Sequence, residues 1–521
     1  MNNNHRLFVV LIVGTVLLLL VFSVLTSNMS TGLLHFGEPR KFFSMVWSRG
    51  GERNDSIAAQ DNDTTTTPSH VKTVFKMATA WLNISAVPHL RLEAPPTEIG
   101  SPRWQRLDNG SEALVYAAHY DDVEDLPVIR IVGIARVPLP YENVTCLYFG
   151  ERGLDDFRFR DQGRLYHFRG KNGRNCRWEE LLTGWKPDEK RRYIGSFVDC
   201  PLRKGDNDRP FAVSVTKGND SILENYLPIH YSCEESCTNI TQGSTHSSND
   251  RKVQRSSEKL PRWNITRCFP AFFGKFDDQK HLVEMAAASL VLGVDKFVFY
   301  VESVGPNVSA ALRALQKLGV AEVLPWNMHW RDPVVYYMAQ FSAIQDCLYR
   351  HLHSSRFLLF GDVDEVFVPR NESSLLPLIQ QYFAAKPECG AFLFLNTFYY
   401  LTLATAAPPT NRSDIVKDIW RRHMDMLQHT NREVKIFGPR SRSKPAVDPS
   451  RVEVGSVHAN EKYRGKFKEC TMDKKDALLH HYRAQLAQKQ EVTTNDPTLW
   501  RFAEDIIRMT DTITRTISEI V

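Results

Sequence analysis

The 521-residue sequence predicts an α/β protein, with a mostly parallel sheet that carries helices on both faces, preceded by a small β-rich domain and a transmembrane anchor. Beyond Leu260, apolar strand-like runs alternate with longer amphipathic stretches, which is typical of parallel βαβ units. Before that point, short alternating runs such as EALVYAAHY and PVIRIVGIARV are separated by turn residues, a pattern typical of β-sheet. One uncharged run near the amino terminus is long enough to cross a bilayer.

The anchor is predicted at LFVVLIVGTVLLLLVFSVLT, Leu7 to Thr26, twenty residues without a charge. As a helix this run would rise about 30 Å, the thickness of a bilayer core. A cleaved signal peptide is the alternative, but its apolar region is usually about 7–15 residues and ends at small residues. The length therefore favours an uncleaved anchor, with residues 1–6 as a cytosolic tail.

The side of the membrane is indicated by sequons and cysteines. All nine cysteines follow the predicted span, where an oxidising lumen would allow most of them to pair. N-x-S/T sequons also follow it, and they are acceptors for N-glycans. There are twelve: Asn28, Asn54, Asn62, Asn83, Asn109, Asn143, Asn219, Asn239, Asn264, Asn307, Asn371 and Asn411. The sequence therefore predicts a single-pass type II protein with a lumenal body.

Composition sets the domain boundaries. The polar stretch 27–71, which ends in DNDTTTTPSH, predicts a flexible stem, and the Ser/Thr/Asn-rich stretch 237–259 predicts a linker. Between them lies the β-rich domain, 72–236. The α/β domain follows at 260–490, and 491–521 is predicted to be a helical tail. The net charge of +5 is spread over 65 basic and 60 acidic residues, which argues against nucleic acid as a partner.

The first half of the α/β domain predicts three strands and two helices in alternation. The strands are CFPAFFGKF, DKFVFYV and AEVLPW. The helices are KHLVEMAAASLVLG, which ends at Gly293, and SAALRALQKLG, which ends at Gly319.

The second half continues the alternation. VVYYMAQFSAIQDCLYRHL predicts one long amphipathic helix, and SSLLPLIQQYFAAKP predicts another. RFLLFGDVDEVFVP predicts an apolar strand interrupted by carboxylates, and CGAFLFLNTFYYL a further strand. In sheets of this kind ligands bind beyond the carboxyl ends of the strands, so chemistry is expected there.

Three carboxylates stand at such a strand end: Asp362, Asp364 and Glu365. Burying them without a cation would be costly. In an extended chain Asp362 and Asp364 project to the same side, so they could share one hard divalent cation and the diphosphate oxygens that it binds. The alternative is an ordinary acidic turn at the end of a strand.

The segment AIQDCLYRHLHSSRFLLFGDVDEVFVP resembles the core signature of glycosyltransferase family 92. HLVEMAAASLVLGVDKFVFYV, LQKLGVAEVLPW, RSKPAVDPSRVEVGSVHAN and ALLHHYR agree with it, so the resemblance covers roughly Cys268 to Arg483. It implies a GT-A-type nucleotide-sugar-binding domain, UDP-galactose as donor, Mn²⁺ as the metal, and inversion at the anomeric carbon. It also implies fucose or galactose of N-glycans as acceptor. With the type II topology, it predicts a Golgi membrane enzyme.

Further candidate residues follow from their chemistry and position. Asp362, Asp364 and His458 are predicted metal ligands, and Asp362, Asp364, Arg483 and Lys444 are predicted contacts of the nucleotide-sugar. Glu365 and Asp346 are predicted catalytic residues. Each has a structural alternative: a hydrogen-bonded histidine for His458, a strand-end salt bridge for any one of His480, His481, Tyr482 and Arg483, and a local hydrogen-bond network for Asp346. An inverting transferase needs a carboxylate base, and Asp414 and Asp425 remain alternatives to Glu365.

Two other functional classes stay open. One is a lumenal glycan-binding protein that keeps the fold without activity. The other is a metal-dependent hydrolase, which would require a paired acid and base or a second metal cluster, and the sequence shows neither pattern.

Overall fold

The computed structural model describes residues 91–92, 102–107, 110, 112–124, 126–152, 157–167, 193–202, 209–217, 222–232, 261–328, 330, 334–402, 410–484 and 492–521. The predicted anchor, stem and linker lie outside these residues. Among the described residues, none of the helices has the length and apolar character needed to span a membrane. The described residues all belong to one compact unit, Thr65–Val521. The predicted domain boundaries stay predictions.

The β-rich region is a sheet that closes on itself. Its main sheet has the strand order β10-β8-β5-β6-β7-β4-β3-β2, and β10 also pairs with β3, while β1 and β9 pair separately. The strands are β1 (Arg91–Leu92), β2 (Gln105–Arg106), β3 (Ala113–Asp121), β4 (Val128–Arg136), β5 (Asn143–Phe149), β6 (Phe157–His167), β7 (Tyr193–Pro201), β8 (Ala212–Thr216), β9 (Ile222–Leu223) and β10 (Leu227–His230).

Alternating side chains divide this closed sheet into an interior and an outer face. Ile129 and Ile131 of β4 belong to a core inside the sheet, while Val132 and Ile134 belong to a second core shared with the α/β region. The disulfide Cys146–Cys200 joins β5 to β7 in the interior. The outer face of the β-rich region therefore packs directly onto the α/β region.

The α/β region is built on a seven-stranded sheet with the order β13-β12-β11-β14-β19-β16-β22. Its elements in chain order are β11 (Trp263–Cys268), α1 (Gln279–Val291), β12 (Lys296–Val301), α2 (Pro306–Lys317), β13 (Ala321–Pro325), α3 (Gln340–Arg350), β14 (Ser355–Phe360), β15 (Glu365–Pro369), α4 (Leu375–Ala385), β16 (Cys389–Phe394), β17 (Asn396–Tyr400), α5 (Ser413–Arg421), α6 (Asp425–Gln428), β18 (Asn431–Glu433), β19 (Lys444–Val447), β20 (Val452–Val454), β21 (Lys462–Tyr463), β22 (Lys468–Thr471), β23 (Ala477–Arg483), β24 (Thr493–Asn495) and α7 (Ala503–Ser518).

Strand direction confirms the predicted α/β class in part. Strands β11 to β14 pair with one another in parallel, as expected for βαβ units. Strand β19 runs antiparallel to both β14 and β16. The sheet is therefore mixed, with its parallel half formed by the first four strands.

Both faces of this sheet are covered, because its central strands are apolar on both sides. Phe297 and Phe299 of β12 pack in a core with α1, α2 and α7, while Val298 and Tyr300 pack in the core with α3 and the β-rich region. The predicted C-terminal tail includes α7, which packs on α1 and α2.

A second sheet, with the order β15-β23-β17-β18-β24, explains two errors in the predicted elements. RFLLFGDVDEVFVP and CGAFLFLNTFYYL were each expected to form one strand. Each instead forms two, β14 with β15 and β16 with β17, and the halves belong to different sheets. The bends at Gly361 to Asp364 and at Leu395 carry the chain between the sheets. Hydrophobic pattern alone does not reveal such a bend, since both halves are buried.

Two further predicted elements have different bounds. The strand predicted at CFPAFFGKF lies upstream, at β11, and Phe272 and Phe276 form only isolated bridges, to Val301 at the end of β12 and to Val304. The long helix predicted from Val334 begins only at Gln340. The three residues before it, Tyr337, Met338 and Ala339, have positive φ angles of 42° to 59°, outside the right-handed helical region.

Two more disulfides lie in the α/β region, as expected for a lumenal protein. Cys268–Cys347 joins β11 to α3, and Cys389–Cys470 joins β16 to β22. The first ties a helix to the sheet, and the second ties two paired strands of the sheet. The remaining cysteines, Cys176, Cys233 and Cys237, lie outside the described residues.

Candidate active site

The acidic motif occupies the bend between the two sheets. Strand β14 ends at Phe360, the carboxyl end expected for a ligand site, and β15 begins at Glu365. The bend is closed by its own hydrogen bond, in which the backbone N–H of Asp362 donates to Oε2 of Glu365 at 2.9 Å. The motif is therefore a formed turn of the backbone.

Arg267 holds this turn from its buried side. It lies fully buried on β11, and its Nη2 donates to the carbonyl oxygens of Asp362 at 2.7 Å and Glu365 at 2.6 Å. Its Nη1 donates to Oγ of Ser289 on α1 at 2.7 Å. Burial lowers the pKa of Arg267 to about 10, against the opposing effect of Glu365, so the guanidinium remains charged at neutral pH.

Lys444 neutralises two of the carboxylates. Its ammonium lies 2.7 Å from Oδ2 of Asp362 and 3.3 Å from Oε2 of Glu365. Burial alone would lower the pKa of Lys444, but Asp362 and Glu365 raise it well above its usual range. Burial alone would raise the pKa of Glu365, and Lys444 and His481 lower it. Both groups are therefore charged.

His481 bridges Asp364 and Glu365. Its Nε2 lies 3.1 Å from Oδ2 of Asp364, and its Nδ1 lies 3.2 Å from Oε1 of Glu365. Burial alone would lower the pKa of His481, but Asp364 and Glu365 raise it to about 9. Burial would raise the pKa of Asp364, and His481 outweighs this effect and lowers it. Three carboxylates thus face three cations, Arg267, Lys444 and His481, as long as His481 keeps its proton.

Exposure separates the three carboxylates. The side chain of Glu365 is 1% exposed, whereas those of Asp362 and Asp364 are 35% and 18% exposed. Lys444 and His481 enclose the carboxylate of Glu365, which is the position of a structural residue. The catalytic role predicted for Glu365 stays a prediction. Only Asp362, Asp364 and the edge of His481 face outward.

The donor set fits a divalent cation in part. Carboxylate oxygens and imidazole nitrogens are ligands that Mn²⁺ accepts. In the described parts of the chain, however, no three His, Cys, Asp or Glu side chains are arranged so that they could hold a metal by themselves. A cation on Asp362 and Asp364 would therefore need further ligands from a bound diphosphate, and it would compete with the proton of His481.

The other predicted metal ligand, His458, lies beside this cluster. Its Nδ1 is 3.2 Å from the carbonyl oxygen of Ser443, next to Lys444 in the chain. Burial lowers the pKa of His458 to about 4, and the charge of Lys444 adds to this, so the ring is neutral. Among the described residues it forms no ion pair with Asp362 or Asp364, whereas His481 forms one. Its role as a ligand stays a prediction.

The structure does not bring Asp346, a predicted catalytic residue, to the cluster. Asp346 is fully buried on α3, where its carboxylate lies 2.8 Å from Nε2 of His119 and accepts a hydrogen bond from Tyr300 at 2.6 Å. Arg350 donates to it at 3.0 Å and 3.2 Å. This is the local network named as its alternative, and it joins α3 to β3 of the closed sheet.

The alternative bases also lie elsewhere. Asp414 pairs with Arg412 on the exposed start of α5, and Asp425 pairs with Lys280 of α1. His480 and Tyr482 point to the opposite face of β23 from His481. His480 is buried and stacks on Tyr399, with ring centroids 4.4 Å apart.

Two contributions were missed by the sequence reasoning. Arg267 lies near the end of β11, whose sequence WNITRC is half polar, so no local signal marks it as a buried cation. The amide nitrogen of Asn396 lies 3.1 Å from Nδ1 of His481, to which it could donate a hydrogen bond once this nitrogen has lost its proton. Nothing in its own neighbourhood of the sequence indicates this contact, because it depends on the parallel pairing of β17 with β23.

Comparison with known proteins identifies the family. Residues 264–519 match glycosyltransferase family 92, and the chain belongs to this family. It is similar to the beta-1,4-galactosyltransferase galt-1 of Caenorhabditis elegans, with 26% identity over 297 residues, 56% of this chain. The aligned region spans 60% of the length of that relative.

Solved structures show weaker similarity. Glucosyl-3-phosphoglycerate synthase from Mycobacterium tuberculosis, in complex with Mn²⁺, UDP and glucosyl-3-phosphoglycerate, matches with 10% identity and a TM-score of 0.21, covering 49% of this chain and 80% of that one. UDP-glucose pyrophosphorylase complexed with UDP-glucose matches with 9% identity and a TM-score of 0.19, covering 49% and 99%. TM-scores of this size do not establish a common fold.

Proposed function

We propose that this member of glycosyltransferase family 92 is a metal-dependent transferase that moves galactose from UDP-galactose to a fucose or galactose residue of N-glycans, with inversion. The observation that carries the proposal is the pair of outward-facing carboxylates, Asp362 and Asp364, at the carboxyl end of β14 within the family segment. The similar galactosyltransferase of Caenorhabditis elegans supports galactose as the sugar.

The residues of the acidic turn and its partners have different roles, which depend on whether they are exposed or buried. Asp362 and Asp364 would hold a divalent cation such as Mn²⁺, which when bound neutralises charge on a nucleoside diphosphate. Arg267, Lys444 and Glu365 keep the turn in shape from its buried side. His481 would orient Asp364 and could itself become a ligand after losing its proton. Lys444 is thereby a support of Asp362, and a direct nucleotide contact for it stays a prediction.

The cellular setting belongs to the same proposal. The predicted span at residues 7–26, the sequons and the disulfides support a Golgi type II membrane enzyme with a lumenal catalytic domain. Galactosylation of N-glycans requires this setting, because donor and acceptor meet in the lumen.

The test is transfer by the full chain, purified in detergent from cells with a secretory pathway. Radiolabelled UDP-sugars are offered with fucosylated and galactosylated N-glycans, with Mn²⁺ or with chelator. We expect Mn²⁺-dependent transfer from UDP-galactose that is lost in Asp364→Asn and kept in Asp414→Asn, whose carboxylate is exposed at α5.

The outcome has two alternatives. Transfer from a different UDP-sugar would contradict only the donor. A correctly folded, glycosylated chain that turns over no UDP-sugar would contradict the enzyme proposal and favour the glycan-binding alternative.

A further inference from the structure

A basic and aromatic patch lies beside the acidic turn. We define the arginine patch as Arg442 and Arg483, whose guanidinium carbons lie 5.2 Å and 4.4 Å from the ring centroid of Phe398, together with Phe437 and Lys435. Arg442 also lies 5.1 Å from the ring of Phe437, and the ammonium of Lys435 lies 4.6 Å from the same ring. The two rings are 5.1 Å apart, edge to face.

The patch is held rigidly on the second sheet. Phe398 lies on β17 and Arg483 on the adjacent β23, which are paired in parallel. The segment that carries Lys435 and Phe437 is fixed to β17 at two points. Phe437 donates its N–H to the carbonyl of Asn396 at 2.9 Å, and Thr397 donates its hydroxyl to the carbonyl of Lys435 at 3.2 Å.

The patch adjoins the carboxylates. The ring of Phe398 packs against that of His481, with centroids 4.9 Å apart, and His481 contacts Asp364. Arg442 is two residues before Lys444, which contacts Asp362. An anion bound between Arg442 and Arg483 would therefore lie next to the outward-facing side of Asp362 and Asp364.

The patch holds an excess of positive charge. In the part of the chain that the structure describes, no acidic side chain forms an ion pair with Arg442 or Lys435. Burial lowers the pKa of Arg483, and the nearby charge of Arg442 lowers it further, while Tyr400 and Asp364 oppose the change. Two guanidinium groups that contact the same ring and repel each other are an arrangement that an anion would stabilise.

We propose that the arginine patch, with Arg442 and Arg483 as its two donors, is the binding site for the diphosphate of the nucleotide-sugar. This inference rests on the proposed function and names residues for it. A guanidinium fork matches the spacing of phosphate oxygens, and a cation held by Asp362 and Asp364 would contact the same diphosphate from the acidic side. The rings of Phe398 and Phe437 contact these guanidinium groups and hold them in place without removing their charge.

The experiment measures the binding of UDP, uridine and inorganic pyrophosphate to the full chain by calorimetry, with Mn²⁺ and with chelator. Arg442→Gln should weaken UDP and pyrophosphate binding roughly tenfold to a hundredfold, the range for a lost charge-assisted hydrogen bond. Uridine binding should be unchanged. Because part of the affinity comes from the arginines, wild-type protein should keep measurable pyrophosphate binding in chelator, and Arg442→Gln should lose it.

Arg440→Gln is the matched control. Arg440 lies in the same loop, but it is exposed and pairs with Glu469. It should bind all three ligands as wild type does. Thermal unfolding of each variant separates a folding defect from a binding defect, and Arg442 is half-buried on a loop, so its replacement should leave the unfolding midpoint in place.

The outcomes are separable from those of the proposed function. If wild type transfers sugar and Arg442→Gln binds UDP with unchanged affinity, the inference is overturned while the function stands. If Arg442→Gln binds UDP normally but loses transfer to acidic acceptors alone, the patch is an acceptor site and the inference is again overturned. If wild type binds no UDP with Mn²⁺, both fail.

Discussion

Two clusters of charged side chains are built on the two ends of one chain segment, which runs from Asp346 on α3 to Asp364 just after β14. At one end Asp346 is fully buried, with both carboxylate oxygens bonded to His119, Tyr300 and Arg350. At the other, Asp362 and Asp364 are 35% and 18% exposed, and among the described residues each forms one ion pair, with Lys444 and His481 respectively.

The difference shows how a structural carboxylate is distinguished from one that can bind a ligand. Asp346 has fixed protein donors on every side, so no exchangeable partner is needed and none could enter. Asp362 and Asp364 form ion pairs on their buried side and are open to solvent on their exposed side. A cation or a solvent molecule can therefore complete their coordination. Burial and hydrogen bonding, which depend on the fold, make this distinction for two residues of the same type.

The largest expected effect is on stability, at the closed cluster formed by Asp346, His119, Tyr300 and Arg350. Asp346→Asn should lower the free energy of unfolding by about 3–5 kcal/mol, because Arg350 would be left buried and without its main counter-charge. Denaturant unfolding of the purified chain measures this. Asp505→Asn is the control, since its ion pair with Arg508 is exposed. A loss below about 1 kcal/mol for Asp346→Asn would place the two clusters in the same class.

At the open cluster, which contains Asp362 and Asp364, a substitution should lower the transfer activity. Asp364→Asn should reduce transfer by roughly a hundredfold to a thousandfold, because the charge that holds the cation is halved, and it should also lower stability in metal-free protein, because His481 loses its main counter-charge. Steady-state rates at saturating Mn²⁺ measure the effect. A variant with lost stability and normal activity per folded molecule would mean that Asp364, like Asp346, is structural.

The two clusters should also respond to pH in opposite directions. The pKa of His481 is raised to about 9, so its stabilising effect is complete below about pH 6.5 and is lost as the pH rises through 9, by about 3 kcal/mol in metal-free protein. Burial lowers the pKa of His119 despite Asp346, so the folded state binds its proton less well than the unfolded state. Stability from that region should fall as the pH drops below about 6.5.

The measurement is metal-free unfolding from pH 5 to 10 for wild type, His481→Gln and His119→Gln. His481→Gln should flatten the alkaline side of the profile, and His119→Gln should flatten the acid side. Both variants flattening the same side would contradict the assigned charges.

The smallest effect tests one bond of the closed cluster. Tyr300→Phe removes the hydroxyl that donates to Asp346 but leaves Arg350 on the same oxygen, so we expect a loss of about 1.5–2 kcal/mol. Tyr231→Phe, which loses a bond to the neutral carbonyl of Pro210, should cost about 1 kcal/mol or less. Equal losses would show that the buried charge adds nothing to the Tyr300 bond.

Local sequence patterns predicted much of the architecture. The helices α1, α2 and α4 and the strands β12 to β14 follow from apolar periodicity and from the glycines that end the first two helices. The acidic turn at the carboxyl end of β14 also followed from local pattern, since three carboxylates after an apolar strand are unusual wherever they lie. The bends at Gly361 and Leu395 could not be predicted in this way, because each lies between two buried runs that hydrophobic pattern alone joins into one strand.

By itself the sequence determined which elements form and which residues are chemically able to bind a cation, because both depend on neighbours within a few positions of the chain. The tertiary structure alone decided which of those residues meet. Arg267, Lys444 and His481 reach the acidic turn from strands that are distant in the chain, and Asp346, only sixteen positions before Asp362, is turned into a separate core. The physical reason is that burial, charge pairing and pKa depend on distances across the sheets, which one-dimensional spacing does not encode.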